Sequence, residues 1–161
     1  MGALTMFRPQ RERDRIRRFS EPATAITRNA LASALASARS AYPNEFGGLL
    51  RLTGPRLIGE LLLLPGTTAG RRHANFQLWM LPADVAIVGT VHSHPSGAVH
   101  PSEADLQLFR HWGRRHLILG YPYSERDWLA YDGNGRTIPL TVVDGPRPVA
   151  PPAPPRDRAG R

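Results

Sequence analysis

Two histidines two residues apart, followed by a serine and an aspartate, are the residues of this chain best suited to chemistry. They are His92, His94, Ser102 and Asp105. Residues i and i+2 of a strand project from the same face, about 6–7 Å apart, so both imidazoles could reach one metal ion. Asp105 falls in the first turn of a predicted helix and could add a carboxylate. Two histidines and one carboxylate leave a fourth tetrahedral position open for water, which is typical of a catalytic zinc site.

The serine and the aspartate also fit a structural role at the start of a helix. Ser102 could be the N-cap residue, and Asp105 three residues later would complete a pair that resembles a capping box. Taken alone, this spacing favours capping over catalysis, and an isolated His-x-His pair is a weak signal. The combination of the two at a strand-to-helix junction is more specific than either part. The two roles of Ser102 are compatible, because a capping serine is also a well-fixed serine.

The composition narrows the possible chemistry. The 161 residues include no cysteine, which excludes disulfides, thiol nucleophiles, iron–sulfur clusters and cysteine-type zinc fingers. Any metal must therefore be held by His, Asp or Glu. No HExxH, GxSxG or glycine-rich phosphate-binding motif competes with the histidine pair. The longest apolar run is too short to span a bilayer and no signal peptide is recognisable, so we expect a cytoplasmic protein without a membrane partner.

Basic charge is concentrated at the two ends of the chain. All 21 basic residues are arginines, opposed by 13 acids, which gives a net charge of +8. Residues 1–22 contribute +3 and the proline-rich residues 144–161 contribute +2. We interpret 1–22 as a basic flexible arm, 23–143 as one folded catalytic domain, and 144–161 as a disordered tail. The arginines could contact nucleic acid, but a solvated terminus is the favoured interpretation.

Apolar periodicity between these ends predicts two helices and about six strands. A helix is predicted over 26–42, ended by Pro43, and a second over 102–112. The buried face of the first would hold Leu31, Leu35, Ala38 and Tyr42. The predicted strands are 46–52, 57–64, 85–91, 116–120, 128–131 and 138–143. The strand at 85–91 is almost entirely apolar, which favours a central position. The order of elements predicts an α/β sandwich with a mixed sheet.

The motif resembles that of the JAMM (MPN-plus) metalloproteases in their compact prokaryotic form. The family pattern is a Glu on an early strand, then His-x-His, seven residues, Ser, two residues and Asp. The matching residues here are Glu45, His92, His94, Ser102 and Asp105. The resemblance covers about residues 25–143. It implies a cytidine-deaminase-like α/β/α sandwich with a mixed sheet, the JAB1/MPN fold.

The resemblance also implies a role for each matched residue. His92, His94 and Asp105 would bind one zinc ion per chain. Glu45 would be the general acid/base, and Ser102 would help to hold the oxyanion. The implied reaction is Glu-assisted attack of a zinc-bound water on the amide after the C-terminal Gly-Gly of a ubiquitin-like modifier or sulfur-carrier protein. A carboxylate close to that water, but not on the metal, is suited to the proton transfer.

Two other functions stay open from the sequence. One is a nucleic-acid-associated metal protein, because the RadC group has a similar metal motif and the arginine-rich ends could bind phosphates. The other is a non-catalytic scaffold that uses the fold to bind partners, as metal-free MPN relatives do. The presence of all five motif residues argues against the scaffold. The motif does not choose the substrate or the oligomeric state.

Overall fold

The computed structural model describes residues 22–63 and 86–145 of the chain. Nearly all of the predicted basic arm and disordered tail lie outside these residues, so their assignment stays a prediction. Within the described residues, no helix is both long and apolar enough to cross a membrane. The helices are α1 (Arg28–Ala41) and α2 (Glu103–His111). The strands are β1 (Ala25–Thr27), β2 (Gly47–Gly54), β3 (Leu57–Leu62), β4 (Ile87–His94), β5 (His116–Gly120), β6 (Trp128–Tyr131), β7 (Thr137–Ile138) and β8 (Thr141–Val143).

The strands of the described residues form one mixed sheet in the order β7-β6-β5-β4-β2-β3-β1-β8. β4 lies in the middle of this order, antiparallel to β2 and parallel to β5. Parallel neighbours need a crossover connection, and α2 lies in the segment that joins β4 to β5. The central position predicted for the apolar strand before the histidines is therefore confirmed.

The two helices cover opposite faces of the sheet. Leu35 of α1 belongs to the same buried cluster as Leu117 and Leu119 of β5, whereas Phe109 of α2 packs with Ile118. Because successive side chains of a strand alternate between its faces, Leu117 and Ile118 point to opposite sides. The result is the three-layered α/β/α sandwich with a mixed sheet expected from the sequence.

The first helix is shorter at both ends than its periodicity predicts. Thr27 ends β1 and caps the helix, because its side chain accepts a hydrogen bond from the Ala30 amide. Leu31 and Leu35 are buried as predicted. Tyr42 is not: the helix ends at Ala41, and Tyr42 has an extended conformation and is 48% exposed. Its assignment to the buried face was wrong, since the C-cap residue leaves the helical path.

The last predicted strand, 138–143, is two strands on opposite edges of the sheet. β7 pairs with β6, while β8 pairs with β1 at the far end of the strand order. Pro139 and Leu140 separate them. Proline has no amide hydrogen to donate to a ladder, so the strand is interrupted there, and the chain continues to the other edge.

One buried histidine joins α2 to the sheet. The ring of His116 is fully buried and stacks on Phe109 of α2, with ring centroids 4.1 Å apart. Its Nδ1 lies 2.9 Å from the hydroxyl of Thr90, and its Nε2 lies 3.3 Å from the Gly113 carbonyl oxygen. Burial lowers the pKa of His116 to about 4. The neutral ring accepts from the threonine and donates to the carbonyl, so both ring nitrogens are satisfied without a charge.

We expect His116 to make the folded protein less stable in mild acid. The unfolded chain takes up a proton at this ring near pH 6.5 and the folded protein only near pH 4. As the pH is lowered from 6.5 to about 4, the free energy of unfolding should therefore fall by about 1.4 kcal/mol per pH unit. Urea unfolding at a series of pH values should give a shallower dependence for His116→Asn than for the wild type. His111→Gln, at an exposed histidine of α2, should keep the wild-type dependence, and equal slopes for all three proteins would contradict this origin.

Candidate metal centre

Both histidines of the motif lie at the end of β4 and face α2. Their Nε2 atoms are 3.2 Å apart. The ring of His92 also lies 6.2 Å from that of Phe109, measured between centroids, so the same aromatic side chain that stacks on His116 packs near the first histidine. The sequence expectation that alternation along a strand brings the two imidazoles together is met by this geometry.

Asp105 reaches the histidines from the first turn of α2. Its Oδ1 lies 3.0 Å from His92 Nε2, and its Oδ2 lies 3.4 Å from His94 Nε2. The same carboxylate accepts hydrogen bonds from the amide and the hydroxyl of Ser102, each at 2.7 Å. The capping box predicted from the spacing is present, with the Ser102 oxygen accepting from the Asp105 amide. Capping and the approach to the histidines therefore involve the same aspartate.

The donor atoms of the three side chains lie close enough together to share one metal ion. The two Nε2 atoms are 3.2 Å apart, near the separation of about 3.3–3.4 Å between ligands at 2.0–2.1 Å from a tetrahedral zinc, and each of them has one oxygen of Asp105 within 3.4 Å. His92, His94 and Asp105 are the group of described residues whose donor atoms could hold a metal. All three side chains are only 13–14% exposed. Nitrogen lone pairs and a carboxylate converging in a sheltered place are the donor set that a divalent cation requires.

The loop after β4 fixes the ring of His94. His94 Nδ1 lies 2.7 Å from the carbonyl oxygen of Ala98, so Nδ1 donates a hydrogen bond to that carbonyl and Nε2 is the nitrogen turned toward Asp105. Gly97 has a φ of +82°, which glycine adopts without strain, and its amide donates to the His94 carbonyl. The hydroxyl of Tyr131 donates to the carbonyl of Val99 at 2.7 Å. The outer partner of a metal-binding histidine commonly sets its tautomer in this way.

Electrostatics within the group favour an ionised aspartate. Burial acts to raise the pKa of Asp105, but hydrogen bonds from His92 and His94 outweigh it and hold the pKa well below its usual value. The hydrogen bond to Asp105 raises the pKa of His94 against the effect of burial, and the nearby charge of Glu45 adds to the rise. Asp105 therefore stays ionised and offers its carboxylate to a cation.

Glu45 lines a cleft together with two residues of the metal-binding group. The cleft has a volume of about 1000 Å³, and its lining includes Glu45, His94, Ser102 and Asp105. Glu45 is exposed and lies two residues before β2. Its neighbour Phe46 is bound to Ser93 of β4 by two hydrogen bonds, one to the main chain and one to the side chain. The carboxylate is thus near the metal-binding group without belonging to it.

All five residues named from the motif therefore border one cleft or lie within one cluster. The oxyanion role of Ser102 stays a prediction, because its hydroxyl donates to Asp105. Sequence reasoning missed Ser93 and Tyr131. Ser93 alternates to the core side of β4, where a buried hydroxyl needs a partner, and that requirement was a usable signal. Tyr131 contacts the loop after β4 through the carbonyl of Val99, which is distant in sequence. A tyrosine at the end of a predicted strand does not indicate that contact.

The fold and the site define an α/β/α sandwich protein with a His-His-Asp group that could hold a metal ion at the end of its central strand. The family described as prokaryotic homologues of the JAB domain matches residues 27–131. The chain belongs to this JAMM (JAB1/MPN) metalloprotease-like family, as its motif predicted.

Individual relatives agree with this assignment. A probable metalloprotease of Haloferax volcanii is 37% identical over 134 residues, which are 78% of this chain and 83% of the relative. A solved JAB1/MPN domain protein from Archaeoglobus fulgidus is 38% identical, with a TM-score of 0.63 over 74% of this chain and 99% of its own. A structure described as a JAMM metalloprotease-like zinc site in the proteasome and signalosome is 36% identical. Its TM-score is 0.60, over 76% of this chain and 99% of its own.

Proposed function

We propose that this protein is a zinc-dependent isopeptidase. Its substrate is a ubiquitin-like modifier or sulfur-carrier protein, and the bond that it hydrolyses is the amide after the C-terminal Gly-Gly. The observation that carries the proposal is the convergence of the donor atoms of His92, His94 and Asp105 beside a cleft that Glu45 also lines. The cytoplasmic location predicted from the sequence stays a prediction.

The chain supplies separate groups for binding the metal and for moving protons. His92, His94 and Asp105 would hold the zinc ion. A zinc ion in such a three-ligand site provides a nucleophilic water near neutral pH and polarises the substrate carbonyl. Glu45, which is not in the ligand group, accepts the proton of the attacking water and delivers it to the leaving amine nitrogen as the C–N bond breaks.

Ser102 stands at the N-terminus of α2, on the wall of the cleft. Its hydroxyl is the group that we assign to the carbonyl oxygen of the substrate as negative charge develops there. To serve this role, the hydroxyl must turn away from Asp105, to which it donates in the resting structure. The positive end of the helix dipole would add to the stabilisation of that charge.

The charge of the cleft favours a protein substrate over nucleic acid. Among the described residues, three carboxylates line the cleft, those of Glu45, Glu103 and Asp105, and no arginine does. Phosphates would be repelled by these acids even with one zinc ion bound. The RadC-like alternative depends on arginines at the two ends of the chain, outside the described residues.

Removal of the metal should abolish the proposed activity. The substrate for this test is a fusion in which the cell's own small Gly-Gly-ending protein is joined to a lysine side chain. Dialysis against a chelator should remove the zinc and stop cleavage, because the zinc ion lowers the pKa of the attacking water to near neutral and Glu45 alone does not. Readdition of one equivalent of zinc should restore the rate. Cleavage that persists in zinc-free protein would refute the metal-dependent mechanism.

A matched fusion separates the substrate claim from the metal claim. It ends in Ala-Ala in place of Gly-Gly, and its cleavage should be slower because two Cβ atoms must enter the cleft with the tail. If the wild type binds zinc but cleaves neither fusion, the substrate class is wrong while the metal site stands.

A further inference from the structure

Ser93 lies between the two histidines of the metal-binding group but points to the other face of β4. It is fully buried. Its hydroxyl oxygen accepts a hydrogen bond from the Phe46 amide at 2.8 Å, and its own amide donates to the Phe46 carbonyl at 2.9 Å. Phe46 directly follows Glu45 in the chain. A single residue of β4 therefore holds both main-chain groups of the neighbour of Glu45.

The side-chain bond replaces one that a regular ladder would make through the main chain. β2 and β4 pair in antiparallel register up to Gly47 and His92, and Phe46 and Ser93 are the next pair outward. In a regular hydrogen-bonded pair the two residues exchange two main-chain bonds. Here the Phe46 amide donates to the Ser93 side chain. Ser93→Ala would remove the acceptor of that amide and leave only the bond from the Ser93 amide to the Phe46 carbonyl.

Burial raises the pKa of Tyr123, and a hydrogen bond with the Ser93 side chain acts against that rise, so the phenol lies beside the Ser93 hydroxyl. Its ring is 1% exposed, and its main chain has a φ of +64°, a conformation that is uncommon for tyrosine. Arg39 of α1 donates to the Tyr123 carbonyl at 2.6 Å. The Ser93 hydroxyl is thus enclosed by buried groups and not by solvent.

We propose that Ser93 is a positioning residue, whose hydroxyl fixes the Phe46 amide and thereby sets the place of Glu45 relative to His92 and His94. The catalytic part of this inference rests on the proposed function, whereas the structural part does not. The same strand that presents the two histidines to one face thus holds, from its other face, the main chain that carries the general base. Displacement of a reacting group by about 1 Å can lower a rate a hundredfold.

The test compares Ser93→Ala with Ser93→Thr and with Thr27→Ala. Thr27→Ala removes another buried hydroxyl, the one that caps α1, three strands away from β4, and serves as a control for lost stability. Amide hydrogen exchange, zinc content and cleavage kinetics are measured on the full chain. For Ser93→Ala we expect about tenfold faster exchange at Phe46, unchanged zinc content, and a ten- to hundredfold lower kcat with unchanged KM.

Ser93→Thr keeps the hydroxyl and should restore both exchange and turnover toward the wild type. Thr27→Ala should lower the unfolding temperature without changing the exchange of Phe46 or kcat. The proposal is overturned if Ser93→Ala leaves the Phe46 exchange unchanged, or if its kcat matches that of Thr27→Ala. If the wild type cleaves no fusion, the proposed function fails, and the exchange at Phe46 alone decides whether Ser93 holds this segment.

Discussion

Replacing Glu45 with glutamine should stop catalysis while leaving the metal centre intact. Glutamine has the size and shape of glutamate but cannot take a proton from water, and a positioned general base contributes about 10²–10⁴-fold to such reactions. We therefore expect kcat to fall by this factor in cleavage of the Gly-Gly fusion. Zinc content should remain at one ion per chain, because Glu45 does not belong to the ligand group.

The matched control is Glu103→Gln. Glu103 also lines the cleft and is exposed, but it begins α2 and has no part in the proposed proton transfer. The control removes the same charge from the same cleft, so it separates the loss of the base from a change in the electrostatic field. The smallest effect expected from loss of a general base is about a hundredfold. A Glu45→Gln protein that keeps more than about a tenth of the wild-type turnover would therefore show that Glu45 is not the general base.

The second large effect is expected on metal binding itself. His92→Ala removes one of the three proposed ligands, and the alanine side chain offers no donor atom in its place. Even changes to the outer partners of a ligand lower metal affinity by about 10–100-fold, so loss of a ligand should weaken zinc binding by more than a hundredfold. Competition with a chromogenic chelator measures the dissociation constant directly.

His100→Ala provides the comparison for that measurement. His100 lines the same cleft and is exposed, and it does not belong to the group that could hold a metal. Its removal should leave the zinc affinity unchanged. Equal affinities for wild type and His92→Ala would show that the ligand assignment is wrong, whereas a loss in both variants would place His100 among the ligands.

Local patterns predicted much of what positions the site. The bounds of β5 and β6 match the apolar runs 116–120 and 128–131, since short apolar strands between polar turns carry a strong signal. The two histidines could be assigned to one face because strand alternation is a purely local property. The spacing of Ser102 and Asp105 predicted where α2 begins, because a capping box is also a local property of the sequence.

The remaining features depend on contacts between distant parts of the chain. β8 reaches the edge beside β1, a pairing of residues more than a hundred positions apart, and nothing in 138–143 itself indicates that edge. Tyr42 fits the helical period but follows the last helical residue, so the end of the helix and not the period decides its exposure. The hydroxyl of Ser93 matters because Phe46 is opposite, and sequence spacing alone does not reveal that pair.

The attachment of α2 to the sheet has a consequence for how the molecule opens. This helix fully buries one side chain, Phe109, and so has few apolar contacts to hold it. Asp105 lies in its first turn, and a metal ion held by Asp105, His92 and His94 would act as a cross-link between the helix and the central strand. Such a cross-link couples local unfolding of the helix to global unfolding of the sheet. The ion proposed for catalysis would thus also make a weakly packed helix part of one cooperative unit.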